Sequence, residues 1–490
     1  MEEIGNKKIV SSFLWKASEH LLLQGLGLVV QIILARLLMP EDFACLAIIN
    51  AIVVYLGLFV QSGLSTVVIQ RESLDDLDIS TLFTTSFIIA FIIYVPLFFV
   101  APYISNYYNY ENLTWPIRVM SLTLFLYSFN SVQSGLLIRR MRFKTIFVRN
   151  VLSLPIAATI GIFMAYNGYG VWALIAFHML STIITIVFMC FIPELRLKIG
   201  FSITRAKEMY SFSSLILLTN LISSGSDSLR TMVIGKKYTP NNLAYYDRAY
   251  TYSNLLTGVV SVSLSSVMFP VFSRQQNDIS KIYETARRTV GLSSYVIFPF
   301  MILIAIMAKP LVLVILTEKW IPCAVYLSIF ALFRILGVVT SIDKQIFYAL
   351  GNSKIGLYYE LFLLFANVLM LYIAVPLGLI YVAIGAFIVE LVGNFLLMMI
   401  SSKLYGYKLV ERIRDMAKPI ANSIIMSVFI YIISCWGLDV YLQILLQLTI
   451  GVASYLLLSY ITKDQNLALS IKTIREFLNK NTLDTNNKIV

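Results

Sequence analysis

"ILARLLMPEDFACL" (33–46) decides the fold, because the chain contains it twice. Its echo is "VIGKKYTPNNLAYY" (233–246), in which Arg36 answers Lys236, Pro40 answers Pro240, Glu41-Asp42 answers Asn241-Asn242 and Ala44 answers Ala244. Each copy is a short polar break holding a proline between two apolar runs, so the match falls in corresponding loops as well as in helices. Further along, "SGLSTVV" (62–68) is echoed by "VSLSSVM" (262–268), and Ser131 and Lys144 are answered by Ser341 and Lys354. Six apolar runs separate equivalent positions. An even number gives the two halves the same orientation, related by an axis along the membrane normal, as in transporters built from parallel repeats.

Working outward, apolar runs of about 20 residues recur along nearly the whole chain, each long enough to cross a hydrocarbon core of about 30 Å. Of the 490 residues 59% are hydrophobic and 13% charged, and the mean hydropathy is +0.81. Soluble chains carry about 25% charged residues. The runs are continuous and do not alternate with period two, which excludes a barrel. Broken at glycines, prolines and charge clusters, they centre near residues 26, 57, 91, 126, 157, 181, 224, 261, 299, 337, 366, 390, 428 and 450. The expected fold is therefore all-α and polytopic, with about 14 transmembrane helices. Residues 1–202 form an N-lobe of six spans, 203–404 a C-lobe of six, and 405–490 two further helices and a basic tail. The first run, about Phe13 to Leu38, has no cleavage site behind it and reads as a retained span. Cys45, Cys190, Cys323 and Cys435 lie far apart and form neither a metal site nor a disulfide framework.

Basic residues give the direction. The amino terminus, 139–149, 194–207, 274–288, 403–418, the tail after Thr462 and two short turns hold 27 of the 38 Lys and Arg. The opposite loops hold five: Lys236, Lys237, Arg248, Lys309 and Lys319. By the positive-inside rule both termini are cytoplasmic in a multi-pass protein of the cell's inner membrane. The net charge of +12 is then a topology signal and not a nucleic-acid footprint, and the basic loops lie against anionic lipids.

Enzymatic chemistry finds little support. No phosphate-binding G-x-x-x-x-G-K-[ST] loop occurs, His20 and His178 sit in different runs without metal-ligand spacing, and no cofactor is called for. The outward loops are at most about 15 residues, short for a glycan polymerase or ligase that must hold a sugar and a base. A carrier fits better. Its substrate would be met by charges inside the spans, which are costly there, at about 2.5–3.5 kcal/mol each on insertion scales, and so rarely face lipid. Arg334 has no acid at i±3 or i±4 and is the first candidate for an anion contact. Asp227 and Arg230 share a face at i, i+3: they either neutralise each other or present Arg230 to a cavity with Asp227 steadying it. Asp343 and Lys344 are adjacent and point to different faces. Lys16, Arg36 and Arg118 lie nearer span ends, where the last two can simply snorkel. Asp227, Asp343 and Glu390 are candidates for a coupling ion. The tyrosine-rich "YISNYYNY" (103–110) reads first as an interfacial belt, with stacking on sugars as the weaker alternative.

"RLLMPEDFA" with "SGLSTVVIQRESLDDLDISTLF" (62–83), and "SDSLRTMVIGKKYTPNNLAYYDRAYTYSNLL" with "SSVMFPVFSRQQND" (265–278), resemble the Wzx-type polysaccharide flippases of the WzxC-like branch. That branch belongs to the multidrug/oligosaccharidyl-lipid/polysaccharide exporter superfamily. The likeness covers roughly residues 5 to 400 and is most specific at "YYDRAY" and "FPVFSR". It implies two six-helix lobes in a V, alternating access, and export of a polyprenyl-pyrophosphate-linked oligosaccharide for lipopolysaccharide O-antigen, capsule or exopolysaccharide assembly. The expected partners are that lipid-linked substrate, anionic lipids and other polysaccharide assembly proteins, with the chain itself a monomer. Asp227 matches an aspartate common in the family, whereas Arg230 stands where an apolar residue is expected. A pyrophosphate head crossing hydrocarbon needs a wet, positive path lined by spans 1, 7 and 10, which Arg230, Arg334 and Lys344 would serve. A drug exporter of the same superfamily would favour acids at those places, and a membrane polymerase or ligase is the alternative of a different class.

Overall fold

The structure, a computed structural model, describes residues 6–61, 67–68, 71, 74–110, 112–192 and 200–469, with side chains undescribed at 6–21, 211–212, 215, 259–267 and 353. Among the described residues there are fifteen α-helices and no strand. They are α1 (Asn6–Leu37), α2 (Pro40–Gln61), α3 (Asp76–Tyr108), α4 (Thr114–Ser121), α5 (Thr123–Arg139), α6 (Phe143–Tyr166), α7 (Val171–Cys190) and α8 (Ile203–Lys237). Then follow α9 (Pro240–Arg274), α10 (Ile279–Ile315), α11 (Cys323–Ala349), α12 (Ser353–Ala374), α13 (Leu379–Tyr405), α14 (Leu409–Ser434) and α15 (Val440–Ile461).

The repeat reappears in the helix boundaries. α1 ends at Leu37 and α2 opens on Pro40; α8 ends at Lys237 and α9 opens on Pro240. Proline suits the first helical position, where its missing N–H would have found no partner. The same echo links the break between Arg139 and Phe143 to that between Ala349 and Ser353. Elsewhere polar side chains set the starts. Asp75 caps α3 by accepting from the Asp78 amide at 2.7 Å while Asp78 accepts from the Asp75 amide, a reciprocal capping box. Asp278 caps α10 through the Lys281 amide at 3.1 Å.

Ten of these helices are long and apolar enough to cross a membrane: α2, α3, α6, α7 and α10 through α15. That count covers the described residues alone; the runs expected near 26, 126, 224 and 261 fall in α1, α5, α8 and α9, of which α1, α8 and α9 have undescribed side chains. The run near 126 is broken at Leu122, where the Ser121 and Thr123 hydroxyls bond back to the carbonyls of Arg118 and Met120, at 2.8 and 2.6 Å. Such bonds compete with the helix ladder. α8 and α9 run for 35 residues each.

The chain clusters into two compact units. Unit 1 comprises Met1–Arg248 and Glu360–Val382; unit 2 comprises Ala249–Tyr359 and Ala383–Val490. In unit 1, α8 packs on α2 and α3, α6 on α1 and α7. Leu82, Val132, Leu137, Ile146, Met189 and Met209 close its core at one end. In unit 2, α10 is the hub, packed by α11, α14 and α15. Tyr295, Met307, Met426, Ile430 and Tyr455 fill the core between α10, α14 and α15.

Two basic residues read as loop residues lie inside helices. Arg248 is in the third turn of α9, buried, paired with Asp247 at 2.7 Å and stacked over the Phe43 ring. Arg412 is in the first turn of α14, with no exposed surface. Contacts with residues distant in sequence, the Phe43 ring for Arg248 and the Asp343 carboxylate for Arg412, accompany this burial, and local charge density does not reveal them.

Candidate functional site

α11 of unit 2 carries three charged residues, Arg334, Asp343 and Lys344, within an otherwise largely apolar span. Arg334, Gly337, Ser341 and Lys344 fall at i, i+3, i+7 and i+10, on one face of the helix. The two cations are therefore about 15 Å apart along the axis. The Arg334 guanidinium lies over the rings of Tyr250 and Phe333, at 4.8 and 4.9 Å. Among the described residues it forms no ion pair, and its buried Nε has no hydrogen-bond partner. Stacking on desolvated aromatics contributes about 2 kcal/mol. It leaves the donors of a planar fork available for an anion.

Around this face stand polar groups from α13 and α12. Glu390 leans over Gly337, its Oε1 3.8 Å from where a Cβ would sit, one turn from Arg334. The Thr340 hydroxyl donates to Asn394 Oδ1 at 2.8 Å, and the Tyr359 hydroxyl reaches the same oxygen at 3.5 Å. Lys344 Nζ lies 4.6 Å over the Tyr359 ring.

Asp343 is placed differently. It has no exposed surface, and Arg412 grips it with both guanidinium nitrogens, at 2.6 and 2.7 Å. The Tyr405 hydroxyl donates to Asp343 Oδ1, and Arg412 stacks 4.3 Å over Tyr407. Three donors therefore meet this carboxylate, two at Oδ1 and one at Oδ2.

In unit 1 the Asp227–Arg230 pair of α8 does form, at 3.4 Å. Arg230 is 5% exposed and also donates to Asn367 Oδ1 of α12 at 2.8 Å, while half of the Asp227 side chain is exposed. Arg36 is exposed in the last turn of α1. Arg118 stacks on Phe98 and Trp115 and donates to the Phe98 carbonyl at 3.0 Å. The Lys16 side chain lies outside the described residues. Among those residues no group of His, Cys, Asp and Glu could hold a metal. Sequence reasoning missed Tyr250, Asn367, Tyr405 and Arg412. Only Tyr250 left a signal, as part of the "YYDRAY" segment.

With this geometry in view, known proteins are informative. A family profile described as "Polysaccharide biosynthesis protein" matches residues 33–325. The chain is 23% identical over 330 residues to the succinoglycan biosynthesis transport protein ExoT of Rhizobium meliloti (strain 1021), covering 67% of this chain and 66% of that one. It is 21% identical over 436 residues to the lipopolysaccharide biosynthesis protein WzxC of Escherichia coli (strain K12), covering 88% and 84%. Its fold superposes on the lipid II flippase MurJ in an inward closed conformation, with a TM-score of 0.77 at 18% identity, over 92% of this chain and 98% of that one. Repeat, helical architecture and profile converge: the chain is a member of the polysaccharide biosynthesis protein family, a multi-pass membrane protein.

Proposed function

We propose that this protein is a flippase that carries a polyprenyl-pyrophosphate-linked oligosaccharide across the cytoplasmic membrane, by alternating access, for surface polysaccharide assembly. The observation that carries the reading is Arg334: an embedded guanidinium, stacked on two rings, whose Nε is buried without a protein acceptor. An uncompensated cation in a low-dielectric setting is costly on its own and strongly favourable once an anion arrives. A pyrophosphate offers that anion. Lys344 on the same face gives the head group a second positive station about 15 Å along the helix. The names of the relatives, a succinoglycan transport protein and WzxC, and the fold shared with a lipid II flippase support the same substrate class.

On this reading the protein is a carrier and not an enzyme, works as a monomer, and hands its cargo to other assembly proteins. Both termini lie in the cytoplasm, and the lobes are 1–202 and 203–404, as the internal repeat sets them. Asp227 and Glu390 remain the coupling-ion proposals, with Asp343 the weaker one because Arg412 already holds it. Lipid extraction from a deletion strain tests the function. Lipid-linked repeat units should accumulate on the inner leaflet and clear when the gene is restored; an unchanged lipid-linked pool with normal surface polysaccharide would refute it.

A further inference from the structure

Unit 1 holds a cavity of about 700 Å³ at the end of its helices opposite the basic segment 139–149. That volume is within the about 300–1,000 Å³ of small-molecule sites. The start of α2, the segment joining α3 to α4, and the turn joining α6 to α7 build its walls. Its lining includes the carboxylates of Glu41 and Asp42 and the rings of Tyr110, Trp115, Tyr169 and Trp172. Trp115 and Tyr169 are 61% and 57% exposed, although each is large and apolar.

The local backbone presents these groups deliberately. Gly168 and Gly170 sit at φ +80° and +53°, conformations that L side chains rarely adopt, and they raise Tyr169 between them. A Cβ at Gly170 would lie 2.8 Å from Asp42 Oδ1, so the turn wraps closely on that carboxylate. Asp42 Oδ2 accepts from the Met39 amide at 3.0 Å, which fixes the side chain. The Tyr110 hydroxyl is buried with no hydrogen-bond partner. Burial, with Cys45 and Glu41 behind it, pushes that hydroxyl's pKa up, so it remains a donor at neutral pH.

We propose that this cavity is a saccharide subsite, binding the sugar portion of the exported molecule through Trp115, Tyr169, Glu41 and Asp42. Resting on the flippase reading, the proposal adds a second contact region to it, separate from the cations of α11. Sugars offer apolar C–H faces that stack on rings and vicinal hydroxyls that donate to carboxylates. The lining also supplies donors, in Asn112, Thr114 and Tyr110, which a polyhydroxyl ligand uses and a bare cation does not. The exposed rings then carry a function beyond anchoring the helix ends at the membrane interface.

The test uses the purified full-length protein in nanodiscs. The probe is the free oligosaccharide released by mild acid from the host's lipid-linked pool, which lacks the pyrophosphate. Binding is read by tryptophan fluorescence and by saturation-transfer NMR. The wild type should bind it, Trp115→Ala and Tyr169→Ala should each weaken binding by about tenfold, and Tyr441→Ala, which removes an exposed ring outside the cavity lining, should bind as the wild type does. Asp42→Asn should weaken it too, but Asp42 also caps a helix start, so the two exposed ring variants decide. No binding to the wild type overturns the subsite, while lipid accumulation in the deletion strain still judges the flippase separately. Wild-type binding in both ring variants of normally inserted protein, or displacement by a simple quaternary ammonium ion, also overturns it. If the ring variants only reduce membrane insertion and leave affinity unchanged, the rings are interfacial anchors and the subsite is refuted.

Discussion

Arg334, Arg230 and Arg412 are guanidiniums embedded in helices, and their neighbours settle each one differently. Arg230 has Asp227 and Asn367, and Arg412 has Asp343 with two tyrosines; Arg334 has only rings. Arg334→Ala should therefore impair export without removing the protein from the membrane. One lost charge-assisted contact is about 1.5–3 kcal/mol, a roughly ten- to hundredfold weaker interaction. Arg334→Lys should recover part of it, since a point charge remains without the bidentate fork. Surface polysaccharide under limiting expression, normalised to inserted protein, is the measurement; wild-type export by both variants would make Arg334 structural. Arg412→Ala should act on stability instead. It strands a fully buried carboxylate, which costs about 3–5 kcal/mol. Thermal unfolding in detergent should show a large fall for Arg412→Ala and much of it recovered when Asp343→Leu is added, because two apolar side chains replace the pair without leaving a lone charge. Equal unfolding of the single and double variants would contradict this.

At the scale of elements, small residues set how closely helices approach. A Cβ on Gly161 of α6 would come within 3.0 Å of Phe177 Cβ and 3.3 Å of the Ala173 carbonyl of α7. Backbone and Cβ atoms cannot swing aside as a side-chain tip can. Gly161→Val should therefore prise α6 from α7 and destabilise unit 1 by about 1–3 kcal/mol. Gly161→Ala should do so less. A proteolysis assay in detergent reads the difference, and a Val variant as resistant as wild type would show the helices can separate freely. Much of this architecture was legible in the sequence. Apolar length placed the helices, and the Pro40 and Pro240 breaks marked boundaries that fell at the same points in both halves. Arg334 was singled out because an absent acid at i±3 and i±4 is a local fact. Asn367 and Arg412 were not legible, since they lie 137 and 69 residues from Arg230 and Asp343, and no periodicity reports such a meeting. The break at Leu122 was missed too, because hydroxyl back-bonds do not alter hydropathy.

For the whole molecule, the distribution of 27 basic residues on one side against five on the other predicts where each loop lies. A cysteine placed at Lys144 should react with an impermeant maleimide only after the cells are opened, and one placed at Asn112 should react in intact cells. Cys190 and Cys435 are exposed and must be replaced first. Labelling at position 144 from outside would reverse the topology. It would also put the aromatic cavity of unit 1 in the cytoplasm, where it would meet the substrate before transport.

The bond between Asp343 and Arg412 also has a schedule. The two residues are 69 positions apart, and the ribosome adds about 5–20 residues per second, so α11 is made roughly 3–14 s before its counter-ion exists. Throughout that interval the nascent chain holds an unmatched acid in a helix apolar enough to insert. A polypeptide stopped anywhere before α14 would keep that acid without its guanidinium partner. α14, which has no counterpart in the repeat, thus brings the counter-ion that α11 lacks until then.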